Sequence, residues 1–181
     1  MKKVIYFCTM LLMMGSCVQY PDIFMRLSDE DAAAIPYQMD QKVSFVNQDG
    51  DTLAYQVVYD ETYPYDADRY YSYESKMQPR QDYFCYARTV ILECAETGER
   101  LGFTICPQKE LSVYYGNEID MNGSLLQAAD SYTLDGIEYE HVLQQILYSQ
   151  YTGELIYNWY YNEEYGLIYI KYYDQLLKRV P

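Results

Sequence analysis

The sequence predicts a mainly antiparallel β fold, a single sandwich or strongly curved sheet with one or two short helices, and three observations carry that prediction. Tyrosine supplies 25 of the 181 residues, and it favours strands because its ring half-buries on a pleated surface while the hydroxyl stays wet. Apolar and polar residues alternate over short runs separated by glycine-containing turns, the period of a strand with one buried face. Apolar residues at helical spacing occur only in brief stretches. A chain of this length suits one domain and buries roughly 70% of its unfolded surface on folding.

The chain begins with Met1-Lys2-Lys3 and an apolar run over residues 4–14, the charged start and short greasy middle of a secretory signal. Even as a helix, at about 1.5 Å per residue, eleven residues cover roughly 16 Å, half of a ~30 Å hydrocarbon layer. The run therefore reads as a signal and not as a span. It leads into Met14-Gly15-Ser16-Cys17, which resembles the lipobox of bacterial lipoproteins, with Met and Ser where Leu and Gly or Ala are commoner. The resemblance implies removal of residues 1–16 and lipidation of Cys17. Two acyl chains, at ~0.8 kcal/mol per buried methylene, convert reversible membrane association into stable anchoring. No Asp follows Cys17 and only one acid stands in Val18-Gln19-Tyr20-Pro21-Asp22. An outer-membrane anchor facing the periplasm is expected, with the cell surface as the alternative.

Losing residues 1–16 removes two lysines and no acid, taking the formal charge from -14 to -16. Such acidity argues against nucleic acid, because phosphate binding needs clustered Lys and Arg.

Residues 17–36 read as a lipid-anchored tether carrying a short helix, and residues 37–181 as the β domain. In the tether Pro21 forbids a continuous helix, and Ser28 caps a short one whose first turn is acidic. Pro36 then biases Ile35 to extended geometry. Residues 42–47 and 51–60 flank Gln48-Asp49-Gly50, a three-residue hairpin loop that places Phe45 opposite Leu53 and Val43 opposite Tyr55. Residues 60–81 are acidic, tyrosine-rich and aperiodic, so a long loop is expected there. Its Tyr63, Tyr65, Tyr70, Tyr71 and Tyr73 are the candidate binding residues, since tyrosine offers contact area with few torsions to freeze and stacks on sugar faces.

Residues 82–95 and 100–107 form a second expected hairpin around Glu96-Thr97-Gly98-Glu99. Apolar pairing favours an even loop that sets Val90 against Ile105 and Leu92 against Phe103. On either an even or a three-residue loop Cys85 and Cys106 sit three or four positions out of alignment, roughly 10 to 13 Å apart at strand rise, too far for a disulfide. Cys94 faces the other way. Cys85, Cys94 and Cys106 are therefore expected as free thiols.

Further on, residues 111–115 suggest a strand and residues 124–130 a short helix. Asp135-Gly136 turns a hairpin whose second arm, to Tyr148, is read as strand although residues 140–150 also suit a helix. Residues 155–161 and 166–173 make a terminal hairpin, and residues 178–181 read as a frayed end.

No catalytic constellation emerges, and neither an enzyme nor a cofactor is expected. His141 is the one histidine, too few for an imidazole-rich zinc site, and the downstream cysteines lack C-x-x-C spacing. The run from Glu118 to Ser124 begins like a calcium loop, yet an EF-hand needs a bidentate Glu where Ala129 stands; it reads as a polar turn.

Ile35-Pro36-Tyr37, Val43-Ser44-Phe45 with Asp49-Gly50-Asp51-Thr52-Leu53, Gly136-Ile137-Glu138-Tyr139-Glu140-His141-Val142, and Tyr160-Tyr161 with Glu164-Tyr165-Gly166-Leu167-Ile168 together resemble a group of small Gram-negative lipoproteins of unassigned function. The resemblance implies a mainly β fold, a terminal hairpin and strand rather than helix over residues 139–148. It brings no activity. The expected role is a non-catalytic binding or scaffolding lipoprotein for a protein partner in the cell envelope, with glycan or peptidoglycan binding through exposed tyrosines as the alternative and a hydrolase as the remote one.

Overall fold

Asn47 makes the first hairpin. Its side-chain oxygen accepts the backbone N–H of Asp49 (3.0 Å) and Asp51 (2.8 Å), and Gly50 takes the positive φ of +88° that closes the loop. Strands β2 (Lys42–Asn47) and β3 (Thr52–Asp66) then pair with Phe45 opposite Leu53 and Val43 opposite Tyr55. This is the register the loop length predicts.

The structure, a computed structural model, describes residues 23–66, 83–116, 119–128 and 130–180. Cys17, Tyr70, Tyr71 and Tyr73, together with the signal over residues 1–16, lie outside the described residues. The remaining elements are β1 (Ile23–Met25), helix α1 (Asp29–Ala33), β4 (Tyr83–Cys94), β5 (Arg100–Cys106), β6 (Glu110–Tyr115), β7 (Ile119–Ser124), β8 (Asp130–Leu134), β9 (Ile137–Tyr148), β10 (Leu155–Asn162), β11 (Gly166–Tyr172) and β12 (Gln175–Arg179). Two short 3-10 turns follow β5 and β7.

Among the described residues the sheet runs β7-β6-β5-β4-β3-β2-β12-β11-β10-β9-β8, antiparallel throughout, and β1 adds to β4 in parallel. Two meanders, β2 to β7 and β8 to β12, are thus joined where β12 pairs with β2, Lys178 facing Val46 and Arg179 facing Phe45. The path has ends at β7 and β8 and does not close as a ladder. It curves until β7 packs on β9, and a Cβ on Gly123 would press on Leu143 and Gln145. The absent side chain permits that approach. One core fills the concave side, including Phe45, Tyr55, Leu92, Phe103, Trp159 and Tyr161.

Several expectations are corrected. Residues 60–66, expected as loop, are strand: β3 continues through Tyr63-Pro64-Tyr65 to Asp66, paired with β4 as far as Phe84, and the rest of the expected loop lies outside the described residues. The second hairpin has the expected even parity, but its register is shifted by two residues, with Val90 opposite Phe103 and Leu92 opposite Leu101. Cys94 and Glu99 close the turn through Gly98, whose φ is +70°. A shift of two leaves every side chain on its intended face, which is why the apolar pattern did not discriminate. The polar turn before Ser124 is strand β7, and the expected frayed end over residues 178–181 starts as strand, since Lys178 and Arg179 belong to β12 and the Val180 N–H donates to the Ser44 carbonyl at 2.9 Å.

The tether also enters the fold. Ile23–Met25 pairs with β4, and Ser28 caps α1 in a reciprocal capping box with Asp31. Ala34, Ile35 and Tyr37 are buried in the core. The Tyr37 ring lies against Phe103 (5.1 Å between centroids), and its hydroxyl accepts the Leu167 N–H at 2.7 Å. The Tyr161 hydroxyl donates to the Ala34 carbonyl at 2.8 Å.

These interior hydroxyls make stability sensitive to alkali. Burial pushes Tyr37 up to about 12 from 10.0, with Arg179 pulling the other way. Burial raises Tyr161 as well, and burial together with Glu99, which accepts from both hydroxyls, raises Tyr55 and Tyr115. Below about pH 10 both folded and unfolded chains keep these protons. Above it the unfolded chain releases them while the folded chain holds them, so stability falls as pH rises. Tyr37 alone should remove about 2 kcal/mol by pH 12. Urea unfolding at successive pH values checks this; a flat profile from pH 10 to 12 would contradict it.

Candidate functional site

Strand β9 changes partner halfway. Its first part pairs with β8 and, from Leu143 onward, it pairs with β10. The switch needs a bend, and His141 provides it with φ +51°, a left-handed conformation that His enters more readily than a β-branched residue. The bend folds β8 and the start of β9 over the convex face of β10 and β11. There Leu134, Tyr139, Val142 and Ile168 form a second small core, with Tyr132 stacked on Tyr160 at 3.8 Å between centroids. His141 is therefore first of all a structural residue.

Beside it lies a shallow pocket of about 410 Å³ lined by Glu140, His141, Asn162, Glu163 and Glu164. Its acids are partly engaged. Lys109 donates to both Glu163 oxygens at 2.9 and 3.1 Å and stands 3.2 Å from Glu30; the Glu163 hydrogen bond raises the Lys109 pKa, and Glu30 adds to it. Asn162 is occupied by the Glu140 carbonyl and the Tyr165 N–H. Among the described residues no three His, Cys, Asp or Glu side chains converge to hold a metal ion.

Of the tyrosines singled out in the sequence, Tyr63 is the one whose side chain can be placed. It stands on β3, facing away from the main core, and its hydroxyl lies 3.1 Å from Thr89 Oγ1, itself 2.7 Å from Thr104 Oγ1. Tyr63, Tyr114 and these threonines line a groove of about 350 Å³ whose floor is Gly102. A Cβ there would touch the Tyr114 ring at 3.3 Å. Tyr65 contributes its backbone, opposite Cys85.

Among the described residues a group of exposed apolar side chains lies elsewhere, where the sequence raised no signal beyond alternation. At the end of the β9–β10 hairpin Ile146, Leu147 and Tyr148 are 42, 42 and 56% exposed, and Tyr151 in the turn is 99% exposed. A strand on a sheet hides alternate residues. Three exposed neighbours mean that the hairpin projects beyond the body. Ser149 braces the turn, its hydroxyl accepting from Tyr151 N and Thr152 N. Tyr173, also exposed, stands beside the hairpin with its N–H on the Ile156 carbonyl at 3.0 Å.

Compared with known proteins, the chain matches no family model, no curated protein and no solved structure.

Proposed function

We propose that this chain is a lipid-anchored, non-catalytic binding module of the bacterial envelope, tethered through Cys17 and docking a protein partner through the tip of the β9–β10 hairpin. The observation that carries the reading is the projecting group of Ile146, Leu147, Tyr148 and Tyr151. Isolated exposed apolar residues are ordinary, but a contiguous exposed group is informative, and tyrosine is enriched in the centres of interfaces. With a formal charge of -16 once residues 1–16 and their two lysines are removed, the matching partner surface is apolar at its centre and basic around it, and association weakens as salt rises.

The double variant Leu147→Asp with Tyr151→Asp, in a photo-crosslinking experiment on native envelopes, is expected to lose the discrete protein adduct of the wild type. Its thermal midpoint should stay within a few degrees, because both positions are exposed. An affinity loss of about 2 kcal/mol, roughly thirtyfold, is the scale expected for an interface centre. An unchanged adduct would reject the tip. The tether has its own test: Cys17→Ser should release the chain into the carbonate-soluble fraction, and retention with membranes would reject the anchor.

The groove at Tyr63 supports a second reading, glycan or peptidoglycan binding, because two tyrosines and two threonines line it. Retention on purified peptidoglycan that Tyr63→Ala abolishes and the tip variant preserves would select it over the first.

A further inference from the structure

Cys85 and Cys106 lie far from the hairpin tip, on the opposite meander. The last paired residues of the β4–β5 ladder are Arg88 and Ile105. One step further sets Ala87 across from Cys106 on the convex side, and Cys85 follows two residues along the same side of β4. There the two thiols are hydrogen-bonded to each other. The offset of three or four positions expected from the sequence, roughly 10 to 13 Å, is thereby corrected to two, because the true register is shifted by two residues from the even one. Neither is in a disulfide in this structure, Cys85 being buried at 2% exposure and Cys106 partly exposed. Cys94 is buried among the main-core residues on the concave side and is no rival partner.

We propose that Cys85 and Cys106 are a modification site, joined as an intramolecular disulfide when the chain meets a disulfide-bearing oxidant such as oxidised glutathione or a dithiol oxidase. The proposal is independent of what the hairpin tip binds. Cys106, the more accessible thiol, loses its proton to solvent and attacks one sulfur of the donor disulfide. A mixed disulfide forms and one donor thiolate leaves. Cys85, whose burial raises its pKa, gives up its proton more slowly and attacks Cys106 Sγ, expelling the second donor thiolate. The protein loses two electrons and two protons, and the donor disulfide becomes two thiols. The bond closes a loop through residues 86–105, the whole β4–β5 hairpin, and so restrains the unfolded chain.

In the test, the full chain is incubated with oxidised glutathione, remaining thiols are blocked with N-ethylmaleimide, and the digest is read by mass spectrometry without reduction. The expected product joins the Cys85 peptide to the Cys106 peptide, two hydrogens lighter than their sum, while Cys94 carries the alkyl label. Oxidation should raise the thermal midpoint by roughly 5 to 10 °C, reversibly on adding dithiothreitol. Cys106→Ser, at a partly exposed position, should abolish both effects. Cys106 trapped with glutathione while Cys85 is alkylated, Cys85 joined to a different cysteine, or a midpoint rise that Cys106→Ser retains would each overturn the proposal.

Discussion

Replacing Arg88 by methionine is expected to lower the free energy of unfolding by about 3 kcal/mol or more, the scale seen when one partner of a buried ion pair is removed. The guanidinium uses every donor it has. Nε and Nη2 grip the two Asp60 oxygens, each at 2.8 Å; Nη1 reaches the Ala32 and Ile35 carbonyls at 2.7 and 2.8 Å; Nη2 reaches the Tyr37 carbonyl at 2.6 Å. One side chain on β4 thereby pins the segment over residues 32–37 to the sheet, with the arginine 15% and the aspartate 20% exposed. Methionine keeps much of the volume but strands one carboxylate and three carbonyls. Lysine should rescue little, since a single ammonium cannot reproduce the planar fork. Asp60→Asn should cost less than Arg88→Met, because the three carbonyls stay paired. Urea unfolding decides between these, and hydrogen exchange at residues 32–37 should accelerate in Arg88→Met. A loss under 1 kcal/mol for that variant would mean that apolar packing alone holds the segment. The proposed role depends on this clamp, because the pinned segment would link the proposed lipid anchor to the body.

Gly166→Ala is expected to be similarly damaging, by about 3 kcal/mol, for a different reason. Gly166 has φ +76° and lies directly beneath the Tyr37 ring, where an added Cβ would sit inside van der Waals contact with the ring and its hydroxyl. Left-handed backbone costs an alanine roughly 1–2 kcal/mol, and the overlap adds displacement of a buried ring and loss of the Leu167-to-Tyr37 hydrogen bond. Gly50 separates the two contributions, since it has φ +88° with nothing within 4 Å of a Cβ. Gly50→Ala should therefore show the backbone cost alone. Equal losses at the two positions, measured by thermal or urea unfolding, would show that the Tyr37 ring yields freely.

The sequence was most legible where structure is local. Ser28 capping α1, Asn47 and Gly50 turning β2 into β3, and Asp135-Gly136 turning β8 into β9 all act within a few residues. Residues 140–148 are strand, the choice to which the resemblance tips a stretch whose spacing also suits a helix. The polar strands were not legible. β7 is Ile-Asp-Met-Asn-Gly-Ser and β12 ends in Lys178-Arg179, sequences that become strands because β6 in the first case, and β2 and β11 in the second, offer free edges. The candidate site divides the same way. Tyr63 was legible as a surface tyrosine but not as a strand residue over threonines, and the projecting tip around Tyr151 was not legible at all.

By itself the sequence determined the β class, the turns, the face on which each hairpin residue points and the acidity of the surface, because periodicity and turn chemistry act between near neighbours in the chain. Only the tertiary structure decided that β12 joins β2, that Arg88 gathers three distant carbonyls, that two thiols meet on the convex side and that one hairpin overshoots the body. Those pairings span up to a hundred residues or more, and their energy comes from surfaces that exist only once the whole sheet has curled.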